Sequence, residues 1–485
     1  MRTSVIVESF RRLQRDTPGR RLIYLPATES TVNAEQLALL ASEIVKGFEK
    51  MRLPPGSVVG AALGNRPSAI AAFLACAERG HPLLPIDGST AAAEVAAIGA
   101  RLQAAVILVP TATQYLGYGL SRTLSPEVTA AIADQPPQTT FDACVMKLTS
   151  GSTGLPRATL TSEEALVTDS RTLIDAMGIG ADTVQVAAIP LSHAYGFGNL
   201  LVPMLLQGTP VVMREAFVPQ RLPEDARQVN ARIFPGVPFM FEHFNVNPPD
   251  GGWPHTLEQL ISAGARLERR VVDRFRTAFG RKIRSFYGTS ETGGICFDQS
   301  DAVVEEGTVG PALRGMTLTL RPHEGAPGGG GRVHVRGRAV ISGYAEAPDA
   351  ETFADGGFLT GDLGAFDDAG RLVLAGRVSP FINIAGRKVQ PSEVERALRL
   401  RQGIADVRVV GVADDRRGEQ LVALLVSDEP RPSVLSLRQH CAVHLAAYKI
   451  PRTFVFLDQL PLTPRGKIDH QALADAARES VGRAD

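Results

Sequence analysis

Apolar residues fall in two rhythms along this chain, and the rhythms alternate. From residue 33 to 50, "NAEQLALLASEIVKGFEK" sets its aliphatics at helical spacing, with Asn33 where an N-cap belongs. "SVVGAAL" then reads as a buried strand and "PSAIAAFLACAERG" as a helix stopped by Gly80. "HPLLPID" is extended, "AAAEVAAIGARLQA" helical and "AVILVP" a strand. Strand followed by helix, repeated, predicts parallel α/β architecture. Strand-like "TVQVAAIP", "TPVVM", "ARIFPG" and "KIRSFYG" continue it between helical stretches.

After residue 305 the pattern turns to short β pieces: "MTLTL", "RVHVRG" and "RLVLAG". The first two flank "RPHEGAPGGGG", a glycine run with no helix behind it, which reads as a hairpin connection and not a nucleotide loop. Near the end, "PSEVERALRL" and "SVLSLRQHCAVHLAAY" read as helices, and "VRVVGVA" and "QLVALLV" as strands. The predicted fold class is α/β. A large N-terminal part, 1–378, holds parallel sheets plus a small β-rich subdomain. A small, mobile α+β lid follows at 379–485.

Composition narrows the class of protein. A length of 485 residues suits two or three domains. Lys+Arg and Asp+Glu both number 51, so the chain lacks the global basic field of a non-specific nucleic-acid binder. Cys76, Cys144, Cys296 and Cys441 are scattered, which points to neither a disulfide framework nor a zinc knuckle and fits a reducing cytoplasm. The start, "MRTSVIVESFRRLQRD", meets Glu8 and several arginines before any signal-like run develops. "NLLVPMLLQGTPVVM" is too short and interrupted to span a bilayer. The expectation is a cytoplasmic protein with no nucleic-acid partner and no membrane span.

"KLTSGSTGLPRATLT", from Lys147 to Thr161, carries the first chemical signal. A loop rich in Gly, Ser and Thr between a strand and a helix presents N–H groups and hydroxyls to an anion. Taken alone it is equally a polar surface loop, and it is not a Walker sequence. "SFYGTSETGG" adds an aromatic, hydroxyls and the Glu291 carboxylate, a group able to hold Mg²⁺. "LTGDLG" sets Asp362 where it can accept from a ribose diol, "LAGR" ends on the Arg377 fork, and "PRGKID" places Lys467 in a turn. Each of these residues has an ordinary structural alternative; their order along the chain is the specific feature. His440 and His444 share a helix face, but neither a third ligand nor the Glu of HExxH accompanies them, so no metal is expected there.

That order resembles the adenylate-forming (AMP-binding) superfamily of acyl- and aryl-CoA ligases, luciferases and peptide-synthetase adenylation domains. The resemblance is carried by "LTSGSTGLPR", "PLSHAYGFG", "YGTSET", "GTVGPA", "VRGRAVISGY", "FLTGDLG", "GRVSPFINIAGRKVQPSEVE", "LAAYKIP" and "PRGKID". It implies that Thr149, Ser150, Gly151, Ser152, Thr153 and Gly154, with Arg157, hold the β- and γ-phosphates of ATP. Tyr287, with Gly288 and Thr289 beside it, lies against adenine, and Ala263, Gly264 and Ala265 form the other wall. Ser290 touches the α-phosphate, Glu291 ligates Mg²⁺, and Asp362 and Arg377 take the ribose hydroxyls.

Lys467, reaching from the lid, bridges the substrate carboxylate and the reacting phosphate, and Ser379 is the hinge. His193, Tyr195, Gly196, Phe197, Pro238 and Phe239 line the acyl pocket, and Ala385, Gly386 and Lys388 the thiol tunnel. The implied activity is conversion of a carboxylic acid to an acyl-adenylate with pyrophosphate release, then transfer to a thiol. CoA is the expected acceptor; the phosphopantetheine arm of an acyl-carrier protein shares its chemistry. A third possibility is a degenerate nucleotide- or acyl-binding protein. "PLSHAYGFG" lacks the "FD" start of amino-acid-activating relatives, which favours an aliphatic or aromatic acid.

Two departures stand out. Arg157 occupies the family's usual Lys position, and Ser379-Pro380 replaces its charged hinge. If the lid alternates, Lys467→Ala should abolish adenylate formation and spare thiol attack on supplied acyl-adenylate. Half-reaction assays check this, and equal loss of both in a folded variant would contradict it.

Overall fold

The computed structural model describes residues 4–90, 92–113, 118–134, 139–149, 157–323, 326, 329–346, 351–378, 382–384, 387–389, 391–414, 418–428, 430–445, 447–463 and 468–482. Packing divides the chain into two units. One is Met1–Arg321 with Val333–Thr360 and Ala365–Leu374; the other is Pro322–Arg332, Gly361–Gly364 and Ala375–Asp485. The second unit thus begins before the expected 379 and takes in two short pieces of the expected N-terminal part.

The first unit is built on an eight-stranded sheet ordered Gly293–Phe297, Ile283–Thr289, Gln259–Ser262, Ile233–Gly236, Gln185–Ala187, Val211–Met213, Arg21–Leu25, Ser30–Asn33. Its interior pairings are parallel and its two outermost are antiparallel. Central strands such as Ile233–Gly236 are buried throughout, as expected of strands covered on both faces. The expected strands "SVVGAAL" and "AVILVP" lie side by side in a second, five-stranded sheet. The helix before them, Ala34–Met51, opens with a reciprocal capping box between Asn33 and Gln36. The helix Pro67–Arg79 ends at Gly80, whose φ of 68° needs no Cβ-bearing residue to be strained.

The expected order of strand, loop and helix is present, with one addition at the phosphate-loop candidate. Leu148–Thr149 pairs antiparallel with Arg157–Ala158, so the two described flanks of the loop form a short ribbon before the helix begins. The helix Glu163–Ala176 starts only after Ser162, whose hydroxyl caps Ala165 N, and its first turn holds Glu163 and Glu164. Those carboxylates already complement the positive helix end, so that end is poorly suited to a phosphate.

The second unit carries the sheet Arg387–Val389, Ile382–Ile384, Gly418–Ser427, Ile404–Asp414, with Thr453–Phe456 parallel to Gly418–Ser427. Helices Pro391–Arg399 and Val434–His444 supply Val394, Leu398, Leu437 and Cys441 to its core. The two histidines of the latter helix have ring centroids 4.8 Å apart. The Nε2 of His440 lies 2.8 Å from Ala397 O, a backbone partner in place of a metal.

Removing the Asn33 side chain should lower stability by about 1 kcal/mol, the usual worth of an N-cap. Urea unfolding of Asn33→Ala against Asn33→Asp checks this, with the aspartate variant expected near the parent.

Candidate active site

The ribbon and the strand ends of the large sheet place the site. At the ribbon, Thr149 Oγ1 donates to Arg157 O at 3.3 Å, which holds the two sides of the loop together. Ser150, Gly151, Ser152, Thr153 and Gly154 lie outside the described residues. The Arg157 guanidinium carbon stands 3.6 Å from the centroid of the Tyr344 ring. The Tyr344 hydroxyl donates to Glu291 Oε1 at 2.9 Å. The residue at the loop exit, an aromatic ring and the expected metal-side carboxylate therefore form one continuous contact.

Glu291 follows the strand Ile283–Thr289, which turns tightly back into Gly293–Phe297. A Cβ at Gly288 would lie 2.5 Å from Gly293 O, and one at Gly293 would lie 2.4 Å from the Asp169 carboxyl carbon. The turn therefore requires both glycines. Within it, Glu291 N donates to Thr289 Oγ1, which also contacts Thr292 Oγ1 at 3.1 Å. Glu291 is 8% exposed. Among the described residues no hydrogen bond reaches its Oε2. Ser290 sits half-buried between these residues. Tyr287 is buried among Ile295, Cys296 and Val309. Ala263 is buried at the end of strand Gln259–Ser262, and Gly264 after it has a φ of 79° with Ala265 exposed beside it.

In the acyl-pocket segment, His193 stands at the N-cap position of the short helix Ala194–Gly196 without a side-chain capping bond, and its Nε2 is 3.7 Å from Asp87 Oδ2. Asp87 is itself held by Ser89, whose N–H and hydroxyl both donate to Oδ1. Gly196 is needed because a Cβ there would lie 2.3 Å from Pro190 O. The Tyr195 ring lies 5.3 Å from that of Phe286, and its buried hydroxyl has no hydrogen-bond partner among the described residues. Burial pushes that hydroxyl well above the usual tyrosine range. Phe197 is buried and packs edge-on to Phe73 in the core. Pro238 opens the helix Pro238–Val246, and Phe239 is 46% exposed beside Phe217.

In the second unit, Asp362 Oδ1 and Arg377 Nε are 2.9 Å apart. Lys467, Ser379, Ala385 and Gly386 fall outside the described residues. Lys388 is described in its backbone alone, where it pairs with Asn383.

Two residues here were missed in the sequence. Lys147 is only 5% exposed, and the charges facing it are Asp169 and Glu291. Asp169, 8% exposed, accepts from Gly294 N at 2.8 Å, on the strand that follows Glu291. Burial lowers the Lys147 ammonium from its ordinary value, while both carboxylates oppose that shift. Burial raises Asp169, opposed by the Gly294 N–H and by Lys147. The available signals were a lysine inside the apolar run "ACVMKL" and an aspartate three residues from Leu166 on its helix's buried face.

The sequence matches the AMP-binding enzyme model over residues 10–345 and the AMP-binding enzyme C-terminal domain model over 393–467. It is 28% identical to an indoleacetate–CoA ligase of Aromatoleum aromaticum, covering 96% of this chain and 96% of that one. It is 30% identical to a sulfoacetate–CoA ligase of Cupriavidus necator, covering 70% and 68%. Its fold matches the o-succinylbenzoate CoA synthetase of Bacillus subtilis in complex with an acyl-adenylate, with a TM-score of 0.80 at 21% identity, over 97% and 98% of the two chains. The chain belongs to the family of AMP-binding enzymes. Within that adenylate-forming class it is an acid–thiol ligase of the AMP-forming type.

Lys147 and Asp169 are coupled if they neutralise one another. Lys147→Met or Asp169→Asn alone should each lower stability, because each leaves the other charge buried with less compensation. The double variant should lose clearly less than the sum in urea unfolding; strict additivity would mean that the two do not interact.

Proposed function

We propose that the chain adenylates an aromatic or arylalkyl carboxylic acid and passes it to CoA. The observation that carries this is the Arg157–Tyr344–Glu291 contact, which sets a phosphate-loop cation and a buried carboxylate in one arrangement. Support for an aromatic acid comes from the rings around the pocket segment, including Tyr195 on Phe286 and the exposed Phe239. The indoleacetate–CoA ligase and a feruloyl-CoA synthase of Amycolatopsis, 27% identical over 89% of this chain, act on such acids by name.

In the first half-reaction a carboxylate oxygen attacks the α-phosphorus of ATP and pyrophosphate leaves. In the second, a thiol sulfur attacks the acyl carbon and AMP leaves. The loop Thr149–Gly154 with Arg157 holds the departing pyrophosphate, and Ser290 the α-phosphate. Tyr287 with Gly288 and Thr289 on one side and Ala263, Gly264 and Ala265 on the other take the adenine. Asp362 and Arg377 take the ribose, and Lys467 stabilises charge at the reacting oxygens. His193, oriented by Asp87, stands at the acid's carboxylate. Ala385, Gly386 and Lys388 line the path of the thiol, and Ser379 is the pivot of the lid.

Glu291 fits Mg²⁺: it is a buried carboxylate with one oxygen fixed by Tyr344. Among the described residues no group of three potential metal ligands gathers, so the nucleotide's phosphates and water would supply the other positions. Mg²⁺ bound there supplies positive charge that offsets the departing pyrophosphate.

Acid-dependent exchange of labelled pyrophosphate into ATP tests the reading. Indoleacetate, ferulate and benzoate should support exchange well above sulfoacetate and the free amino acids, and CoA should then convert the adenylate to a thioester. Exchange with amino acids alone would overturn the acid class. Adenylate that reacts with a loaded carrier protein and not with CoA would overturn the acceptor.

A further inference from the structure

We propose that Tyr344 is a positioning residue for the Glu291 carboxylate, and that Arg157 acts on that carboxylate through the Tyr344 ring. The proposal rests on the reading of Glu291 as the metal-side carboxylate.

The backbone shows why Tyr344 lies at a crossing. Its segment is tied to the loop's exit strand by Leu160 N to Gly343 O at 2.9 Å and Ala345 N to Ala158 O at 2.8 Å. Glu346 adds a third tie, accepting from Ala158 N at 3.2 Å. The same segment is tied to Glu291 by Ile341 N donating to Glu291 O at 2.9 Å. Tyr344 is thus fixed from both sides, one bearing the loop and the other bearing the carboxylate. Its hydroxyl spans the remaining gap to Oε1 at 2.9 Å.

The chemistry follows from the ring. A guanidinium 3.6 Å from the centroid lies in direct face contact, and its charge withdraws electron density from the phenol. A phenol so polarised is a stronger donor, and hydrogen bonds to a charged acceptor are among the stronger ones. The O–H fixes one carboxylate oxygen and leaves the other aimed by the rigid C–O geometry. A planar guanidinium stacks on an aromatic face more broadly than an ammonium does, which gives a physical reason for arginine at this position. An alkyl ammonium retains the charge and part of the effect. Changes at the loop exit would then reach Glu291 without a direct arginine–carboxylate bond.

The test uses the full-length enzyme with saturating ATP and Mn²⁺ as the probe, bound metal being read by electron paramagnetic resonance. Glu291→Gln comes first: unchanged Mn²⁺ affinity would overturn the metal-side reading and this proposal with it. Given a loss there, Tyr344→Phe should weaken Mn²⁺ binding about tenfold, the scale of one hydrogen bond to a charged group. Arg157→Gln should weaken it about threefold more in the parent than in the Tyr344→Phe background, the scale of an exposed cation–π contact. Arg157→Lys should restore most of the loss. Unchanged affinity in Tyr344→Phe overturns the proposal. An Arg157→Gln loss of equal size in both backgrounds also overturns it, since no part of the arginine's effect would then pass through the Tyr344 hydroxyl. If Tyr344→Phe does not fold, Arg157→Gln and Arg157→Lys decide: matching affinities for Gln and Lys would refute the role of the cation over the ring.

Discussion

A carboxylate withdrawn from water has to be given partners, and the core of this site is arranged around that requirement at Glu291. Burying an ionised carboxylate without hydrogen bonds or counter-charge costs several kcal/mol. Here one oxygen is met by a phenol, the backbone N–H by a threonine hydroxyl, and the field by a buried lysine. Each of those partners comes from a different part of the chain, so the folding of residues 147, 289 and 344 converges on one side chain. Asp169 completes the arrangement by offsetting the lysine and fixing the strand that leaves the Glu291 turn.

The glycines follow from the same crowding. Gly288 sits where the turn closes on Gly293, Gly293 where it closes over Asp169, and Gly196 where the pocket segment closes on Pro190. A Cβ at Gly288 or Gly196 would have to push backbone, and one at Gly293 would strike the Asp169 carboxylate from a φ of 69° that already favours glycine. Backbone and charge are therefore constrained together: tight turns bring the polar groups close, and the polar groups repay their burial only because they are close.

Much of this was legible in the sequence. The periods of apolar residues gave the helices capped by Asn33 and Gly80 and the strands of both sheets, because burial on one or two faces imposes those periods directly. The motifs pointed to Arg157 and Glu291, which Tyr344 joins in the first unit, and to Asp362 and Arg377, which stand 2.9 Å apart in the second. Partners that meet only through tertiary structure were not legible. Nothing in the spacing of Lys147 and Asp169, or of His193 and Asp87, shows that they face one another. Nor was the pairing of 148–149 with 157–158 legible, since two-residue strands leave no period to read. Phe197 carries a motif position and is buried against Phe73, a neighbour its spacing does not reveal.

The helix that bears Asp169 begins at Glu163, and Glu163 Oε1 accepts from both Ser4 Oγ at 2.5 Å and Ile6 N at 3.0 Å. The start of the helix Val5–Asp16 is therefore fastened to the same rod that carries a charge of the site. Fusions and affinity handles have a preferred end in consequence. Cargo placed ahead of Ser4 would pull on a strut of the unit that holds Glu291, whereas the helix His470–Gly482 belongs to the other unit.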